Sequence, residues 1–172
     1  WIVVRSDEAV AFSNIRGRRL NGDTNLVPLV VDQATSMQAV LSPDSRWIAY
    51  TSDATGRFEV YVSPFPNISS TRLVSIGGGN EPRWARNGRE LFYKSGGRLM
   101  VVDVLPGATF TPGTPRALFS LSGYRAARNR AQYDVAPDDR RFLMIRDFDD
   151  GSGEEQVYVE NWFTELKAKV KQ

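Results

Sequence analysis

A basic segment with aromatic residues beside it is the part of the sequence whose residue types suggest a binding site. Arg125, Arg128 and Arg130 lie between Tyr124 and Tyr133. Guanidinium groups and aromatic rings together can hold an anionic ligand through charge, stacking and cation–π contacts. A basic loop can equally be no more than a solvated surface, since charge patterning alone does not identify a ligand. We take Tyr124, Arg125, Arg128 and Arg130 as the candidate residues for binding a ligand or partner.

An acidic segment near the C-terminus raises the question of a metal site. Calcium loops take oxygen ligands from alternate residues ahead of a glycine. Ahead of Gly151, two of those positions hold Phe148 and Arg146, which cannot ligate calcium. We therefore expect no metal and predict a solvated hairpin loop. Its carboxylates are those of Asp147, Asp149, Asp150, Glu154 and Glu155.

Composition excludes several catalytic classes. The 172 residues include no histidine and no cysteine, which excludes Ser-His-Asp and Cys-His nucleophiles, zinc fingers and disulfides. Glu90 and Asp134 could serve acid–base chemistry, but neither has a second group at a justified spacing. Glycines 77–79 lack the Gly-Lys-Ser/Thr of a phosphate loop, which favours a turn between elements. We expect a chain that is not an enzyme and holds no cofactor.

Positive and negative side chains are nearly balanced. The formal net charge is +2, from 22 basic and 20 acidic side chains. This balance does not favour nucleic acid as a partner. No stretch reaches the roughly 18 apolar residues that a membrane span needs, so we expect no membrane insertion of this segment.

Three segments of the sequence repeat one pattern. Each has a turn of the Pro-Asp or Asn-Gly type, an apolar run, a second polar turn and another apolar run. The turn residues Asp44, Asn87 and Asp138 align, at intervals of 43 and 51 residues. Repeats of about 40 to 50 residues are typical of propeller blades or helical arrays. The segments are residues 41–52 with 58–62, 84–95 with 98–104, and 135–146 with 156–159.

The apolar runs decide between these two architectures. They are short and separated by turn residues, which predicts strands. We therefore predict an all-β chain, a partial β-propeller of about three to four four-stranded antiparallel blades with a short C-terminal tail or helix. The predicted units are an incomplete or degenerate blade at 1–40, a blade at 41–81, a blade with a long loop at 82–132, a blade at 133–163 and a tail at 164–172.

The positions of three tryptophans and the spacing of residues near the C-terminus allow two further predictions. Trp47, Trp84 and Trp162 each lie beside a strand pattern, which favours a place in the core between blades over a role as binding anchors. Trp162, Leu166 and Val170 have helical spacing, which predicts a short C-terminal helix. Residues 116–120 read as one further strand, followed by a long exposed loop.

These residues resemble the TolB-like β-propeller repeat, whose unit is Trp-Ser-Pro-Asp-Gly-x-x-apolar-Ala-Phe/Tyr followed by an Ile/Val-Tyr-Val strand. Residues 41–62 fit that unit, and the order of motifs is similar to the C-terminal half of propellers attached to bacterial receptor-type serine/threonine kinases. Ser45 and Asp139 stand where the repeat usually has glycine, and Arg86-Asn87 replaces its Pro-Asp, which predicts a change of turn type with the turn itself retained. Residues 1–23 fit poorly. The matching motifs lie at 41–47, 61–66, 78–84, 89–93, 115–119, 133–138, 141–143 and 161–162.

The resemblance implies a non-catalytic module that binds a protein or peptide, or senses a ligand, as the C-terminal part of a larger bacterial signalling protein such as a kinase. The kinase motifs His-Arg-Asp, Asp-Phe-Gly and Val-Ala-x-Lys do not occur in the sequence. Two alternatives share the architecture: a TolB-like periplasmic envelope scaffold, and the accessory propeller of a prolyl-oligopeptidase-like hydrolase. The resemblance slightly favours an extracytoplasmic or periplasmic location.

The number of units has a consequence for assembly. About four blades leave two terminal blades whose apolar faces no further blade of this chain covers. We therefore expect either self-association through these terminal blades or pairing with a partner.

Overall fold

The computed structural model describes residues 1–8, 12–20, 22, 24–125, 131–147 and 154–159. Within these residues the chain forms fifteen strands and no helix. The strands build four antiparallel sheets that follow one another along the sequence. Among the same residues, no helix combines the length and apolar character needed to cross a bilayer.

The first two sheets occupy the N-terminal half of the chain, and their strands are hydrogen-bonded in sequence order. The first sheet contains β1 (Ile2–Glu8), β2 (Phe12–Arg18) and β3 (Val27–Val30). The second contains β4 (Ser36–Leu41), β5 (Trp47–Ser52), β6 (Glu59–Pro64) and β7 (Arg72–Leu73).

The third and fourth sheets repeat this meander. The third contains β8 (Asn80–Trp84), β9 (Glu90–Ser95), β10 (Arg98–Leu105), β11 (Thr111–Pro112) and β12 (Arg116–Ser120). Both β11 and β12 pair with β10, along different parts of its length. The fourth contains β13 (Tyr133–Val135), β14 (Phe142–Asp147) and β15 (Glu154–Val159).

The turn between the first and second strands is the same in three sheets. Ser45, Gly88 and Asp139 occupy one position in it, with φ of 56°, 71° and 56°. Each donates its backbone N–H to the carbonyl three residues earlier, at 2.8, 3.0 and 3.0 Å. The prediction that Ser45 and Asp139 change the turn type was therefore wrong. Ser45 and Asp139 adopt the left-handed backbone conformation that glycine adopts freely, at a cost of about 1–2 kcal/mol.

The apolar core lies between neighbouring sheets, so the second and third sheets bury both faces. Strand β5 illustrates this: Ile48 and Tyr50 face the first sheet, and Ala49 joins the cluster shared with the third. Strand β9 does the same one repeat later, with Leu91 facing the second sheet and Phe92 facing the fourth. Since successive side chains of a strand point to opposite faces, an unbroken apolar run suits a sheet covered on both sides.

Aromatic pairs repeat across the sheet interfaces. Trp1 lies 5.1 Å from Phe65 of the second sheet, and Trp47 lies 5.5 Å from Phe110 of the third, measured between ring centroids. Trp84 is buried in the same cluster, 6.2 Å from Phe110. The prediction that Trp47 and Trp84 fill the core between sheets is confirmed.

The predicted all-β fold of successive antiparallel sheets is confirmed, and so is the strand at Arg116–Ser120. The first strand of the second sheet, β4, starts at Ser36 and pairs with β5, although the sequence pattern placed residues up to 40 in the preceding unit. Strands β4 and β8 are interrupted by bulges, so their sequence carries little periodic signal. Trp162 and the predicted C-terminal helix lie outside the described residues.

Candidate functional site

The first strands of the second, third and fourth sheets share one equivalent residue, which lies within β4 and β8 and directly before β13. Gln38, Glu81 and Gln132 all stand six residues before the aligned turn residue of their repeat. Gln38 and Glu81 sit in β-bulges, with φ of 56° and 53°. A non-glycine residue in this region requires neighbouring contacts to hold it.

Those contacts link each first strand to the next. The backbone N–H of Glu81 donates to Gln38 Oε1 at 3.0 Å, and the backbone N–H of Gln132 donates to Glu81 Oε2 at 2.8 Å. Tyr133 adds a third bond, because its hydroxyl donates to the Glu81 carbonyl at 2.8 Å. The side chain of each repeat therefore satisfies the backbone of the following one, which fixes the relative position of neighbouring sheets.

A buried ion pair lies at Glu81, the middle residue of the Gln38–Glu81–Gln132 series. Glu81 is 1% exposed, and its carboxylate lies 3.0 Å from the ammonium group of Lys94, which is itself buried. Burial lowers the pKa of Lys94, and the Glu81 carboxylate acts against that change. Burial also raises the pKa of the neighbouring Tyr133 well above its usual value. Glu81 and Lys94 form a structural ion pair enclosed by the sheets. The Lys94 ammonium group also lies 5.4 Å from the Tyr133 ring.

An open groove lies beside these strands, where the third and fourth sheets meet. We call it the inner-rim groove and define it by Arg83, Arg86, Asp134, Arg141 and Leu143. One part, between Arg86 and Leu143, has a volume of about 410 Å³. An adjoining part of about 460 Å³ shares Arg86 and Asp134 and reaches the second sheet.

Charged side chains in the groove are close without being fully paired. The carboxylate of Asp134 lies 3.9 Å from Arg83 Nε and 3.9 Å from Arg86 Nη2, which is too long for a hydrogen bond. Its Oδ1 instead accepts the backbone N–H of Val135 at 2.9 Å. The Arg86 side chain is 57% exposed. One carboxylate shared between two guanidinium groups leaves positive charge facing the groove.

The adjacent turns hold the rest of the groove in place. The carboxylate of Asp139 accepts the backbone N–H groups of both Arg86 and Asn87, so the turns of the third and fourth sheets are tied together. Asp138 accepts from Arg141 Nε at 3.0 Å. The Arg140 backbone N–H and the Arg141 guanidinium lower the pKa of Asp138, which keeps that carboxylate ionised. The groove is thus built on hydrogen-bonded turns.

Tyr124 and Arg125, the two described residues among those proposed from the sequence, do not line the inner-rim groove. Tyr124 is half-buried against the cluster between the third and fourth sheets and forms an isolated bridge with Arg146. The Arg125 backbone N–H donates to the Ile145 carbonyl at 2.8 Å. Arg128 and Arg130 lie outside the described residues. A binding role for Tyr124, Arg125, Arg128 and Arg130 stays a prediction.

The other sequence features have simple structural outcomes. In the glycine segment, the Gly78 backbone N–H donates to Glu59 Oε1 at 2.9 Å, so this turn binds a buried carboxylate of its own chain. No cluster of three or more metal-ligating side chains occurs among the described residues. Most of the acidic loop at 147–155 falls outside those residues or is described by its backbone alone.

Sequence reasoning missed the Gln38–Glu81–Gln132 chain and the inner-rim groove. A signal for the first was present, because the three residues are all hydrogen-bond acceptors at one repeat position. No signal for the groove was available in a single repeat, since its residues come from two sheets and meet only when these pack.

Comparisons with known proteins give a fold. No protein-family model and no curated protein matches the chain. Among solved structures, TolB from Agrobacterium tumefaciens matches with 13% identity and a TM-score of 0.63, over 93% of this chain and 57% of that one. A chain of a nidogen/laminin complex matches with 10% identity and a TM-score of 0.59, over 87% and 54%. A prolyl endopeptidase matches with 11% identity and a TM-score of 0.54, over 86% and 24%.

This chain therefore spans little more than half the length of the first two structures and a quarter of the third. Identities this low show the fold alone. The four sheets are blades of a TolB-like β-propeller, and β4, β8 and β13 are the first strands of their blades.

Proposed function

We propose that this chain is a non-catalytic β-propeller module that binds an acidic peptide segment of a protein partner in the inner-rim groove. The observation that carries the proposal is the Arg86 guanidinium: it is exposed, faces a groove, and lies 3.9 Å from its only described counter-charge, Asp134. A planar guanidinium binds a carboxylate through two parallel hydrogen bonds.

The composition of the groove supports binding over catalysis. Arg83 and Arg86 line it with one carboxylate, Asp134, while Arg141 is paired with Asp138 and Leu143 adds apolar surface. Acid–base chemistry uses two groups with separated pKa values. Positive charge over an apolar floor suits a short segment with an acidic side chain beside an apolar one.

The comparisons fit this proposal in one respect. One matching structure is a nidogen/laminin complex, so a propeller of related fold occurs in a protein–protein complex. The motif series at 41–162 supports a finer proposal, that the module is the C-terminal part of a bacterial receptor-type serine/threonine kinase. That finer proposal rests on the motif series alone.

Binding of short peptides to the purified chain tests the site. An array of peptides of varied sequence, probed with the labelled chain, should enrich acidic sequences, and the selected peptides can be measured by isothermal titration calorimetry. Arg86→Ala should weaken binding roughly tenfold to a hundredfold, since a hydrogen bond to a charged group contributes about 1.5–3 kcal/mol.

Arg98→Ala is the matched control. Arg98 is also an exposed arginine, but it starts β10 at the end of the third sheet opposite Arg86. It should leave peptide affinity unchanged. Equal affinity of Arg86→Ala and the parent chain for every selected peptide would refute the site, and equal losses in both variants would show that only total charge matters.

A further inference from the structure

A second pocket lies between the second and third sheets, at the turns that join their first and second strands. We call it the turn-side pocket and define it by Asp44, Arg46, Asn87 and Arg89. Each of these two sheets has another sheet packed on both of its faces. The pocket volume is about 140 Å³. Small-molecule sites usually have roughly 300–1,000 Å³, so this pocket suits one side chain of a larger ligand.

Hydrogen bonds hold the walls of the turn-side pocket. Arg46 donates from Nε to the Asp44 carboxylate at 2.7 Å and from Nη1 to the Gly107 carbonyl at 2.9 Å. Since Gly107 follows β10, this arginine joins the second sheet to the third. The backbone of Arg89 is fixed by its N–H, which donates to Asn87 Oδ1 at 2.8 Å. The two guanidinium groups therefore line the pocket from fixed positions of the backbone.

Positive charge exceeds negative charge in the turn-side pocket. Among the described residues that line it, Asp44 supplies the one carboxylate. That carboxylate already accepts the Ser42 hydroxyl at 2.6 Å and the Arg46 guanidinium. Arg89 is exposed, and its side chain has no ion-pair partner among the described residues. A guanidinium without a counter-charge favours a carboxylate of the ligand.

The turn-side pocket shares a wall with the inner-rim groove. Pro43, which is exposed, lines both the pocket and the part of the groove that reaches the second sheet. Arg86 of the groove and Arg89 of the pocket belong to one turn, so their Cα atoms are at most about 11 Å apart. An extended peptide covers that distance with about three residues. One bound segment can therefore contact both arginines.

We propose that the turn-side pocket takes a second acidic side chain of the peptide that binds in the inner-rim groove, and that Arg89 selects it. This inference rests on the proposed function and narrows the partner to segments with two acidic residues about three positions apart. The exposed Pro43 ring offers apolar surface to the residues between them.

Calorimetry with matched peptides tests the second contact. The parent peptide is one that the array selects and that carries two acidic residues at this spacing; in two further peptides, one or the other acidic residue is replaced by its amide. Arg89→Ala should weaken binding of the parent peptide roughly tenfold and leave the affinity of one amide peptide unchanged. Arg86→Ala should weaken the parent peptide too, but leave the other amide peptide unchanged, because each arginine pairs with its own carboxylate.

Two controls accompany these measurements. Arg98→Ala removes an exposed arginine outside both pockets and should leave all three affinities unchanged. The urea midpoint of Arg89→Ala should equal that of the parent chain, since the Arg89 side chain has no ion pair to lose within the described residues.

The outcomes distinguish this inference from the proposed function. Parent-like binding by Arg89→Ala, with Arg86→Ala still weakened, would overturn the second contact and leave the groove as the site. Equal weakening of all three peptides by Arg89→Ala would also overturn it, because the arginine would then act through total charge. Parent-like binding by both variants would remove the groove as the site, and this inference with it.

Discussion

Glu81→Gln is an informative substitution because Glu81 is the charged member of the hydrogen-bonded series Gln38–Glu81–Gln132. Glutamine is the residue that the second sheet has at the equivalent position, Gln38, and its oxygen can still accept the Gln132 backbone N–H. The variant removes only the charge that faces Lys94. Removing one partner of a buried ion pair costs about 3–5 kcal/mol, and retained hydrogen bonding places the expected loss near the lower end, about 3 kcal/mol.

A second substitution restores the pairing that the second sheet already uses. Glu81→Gln combined with Lys94→Thr reproduces the Gln38–Thr51 contact in the third sheet. Neutral replacements of buried ion pairs are often close to neutral in stability, so the double variant should lie within about 1 kcal/mol of the parent chain. Lys94→Thr alone should be destabilised, because it leaves the Glu81 carboxylate buried without a cation.

Urea unfolding of the four proteins, followed by tryptophan fluorescence, measures these effects as a double-mutant cycle. The pH dependence gives an independent check on Lys94. Burial lowers the pKa of Lys94 in the folded state below its ordinary 10.5, so the unfolded state binds more protons and stability rises with pH in that range. Glu81→Gln removes the carboxylate that acts against this lowering, so the stability of the variant should rise more steeply. Its stability deficit should therefore shrink as the pH rises from 7. Additive losses in the double variant, or a deficit that grows with pH, would refute the assignment of Lys94 and Glu81 as a coupled pair.

Two further predictions concern the turns and a buried phenol. Asp139→Ala removes the acceptor of the Arg86 and Asn87 backbone N–H groups, so it should cost about 2 kcal/mol in urea unfolding, whereas Asp139→Asn should cost less; equal losses would count against this role. Burial, with the Glu59 charge, raises the pKa of Tyr93 to about 12, so its stabilising effect should fade as the pH rises from 10 towards that value. In absorbance titration at the phenolate band, Tyr93→Phe should lose a late step near pH 12 while the late titration of Tyr133 remains. Loss of an ordinary step near pH 10 instead would contradict the burial of the Tyr93 hydroxyl.

The turns show how much local sequence can predict. The Pro-Asp and Asn-Gly pairs of the three repeats predict turns from residue type alone, and all three are turns with one hydrogen-bond pattern. The change expected at Ser45 and Asp139 did not occur, because aligned repeats share their surroundings as well as their residues. The surrounding structure holds the backbone of both residues in the left-handed conformation, which their residue types disfavour.

The candidate site shows the opposite case. Arg83 and Asp134 are 51 positions apart in sequence, and nothing in the sequence near either residue indicates the other. They meet because the third and fourth sheets pack through Phe92 and Phe142, whose rings lie 4.9 Å apart. The charges of the basic loop are adjacent in sequence, whereas those of the groove come from separate repeats.

The amino-acid sequence by itself determined the repeat, the strands and the turns, since these depend on residue types and spacing within some 40 to 50 residues. Only the tertiary structure decided which acceptor meets which backbone N–H and where the groove opens. The physical reason is that these features depend on the distance between sheets, which is set by packing of apolar side chains from distant parts of the chain.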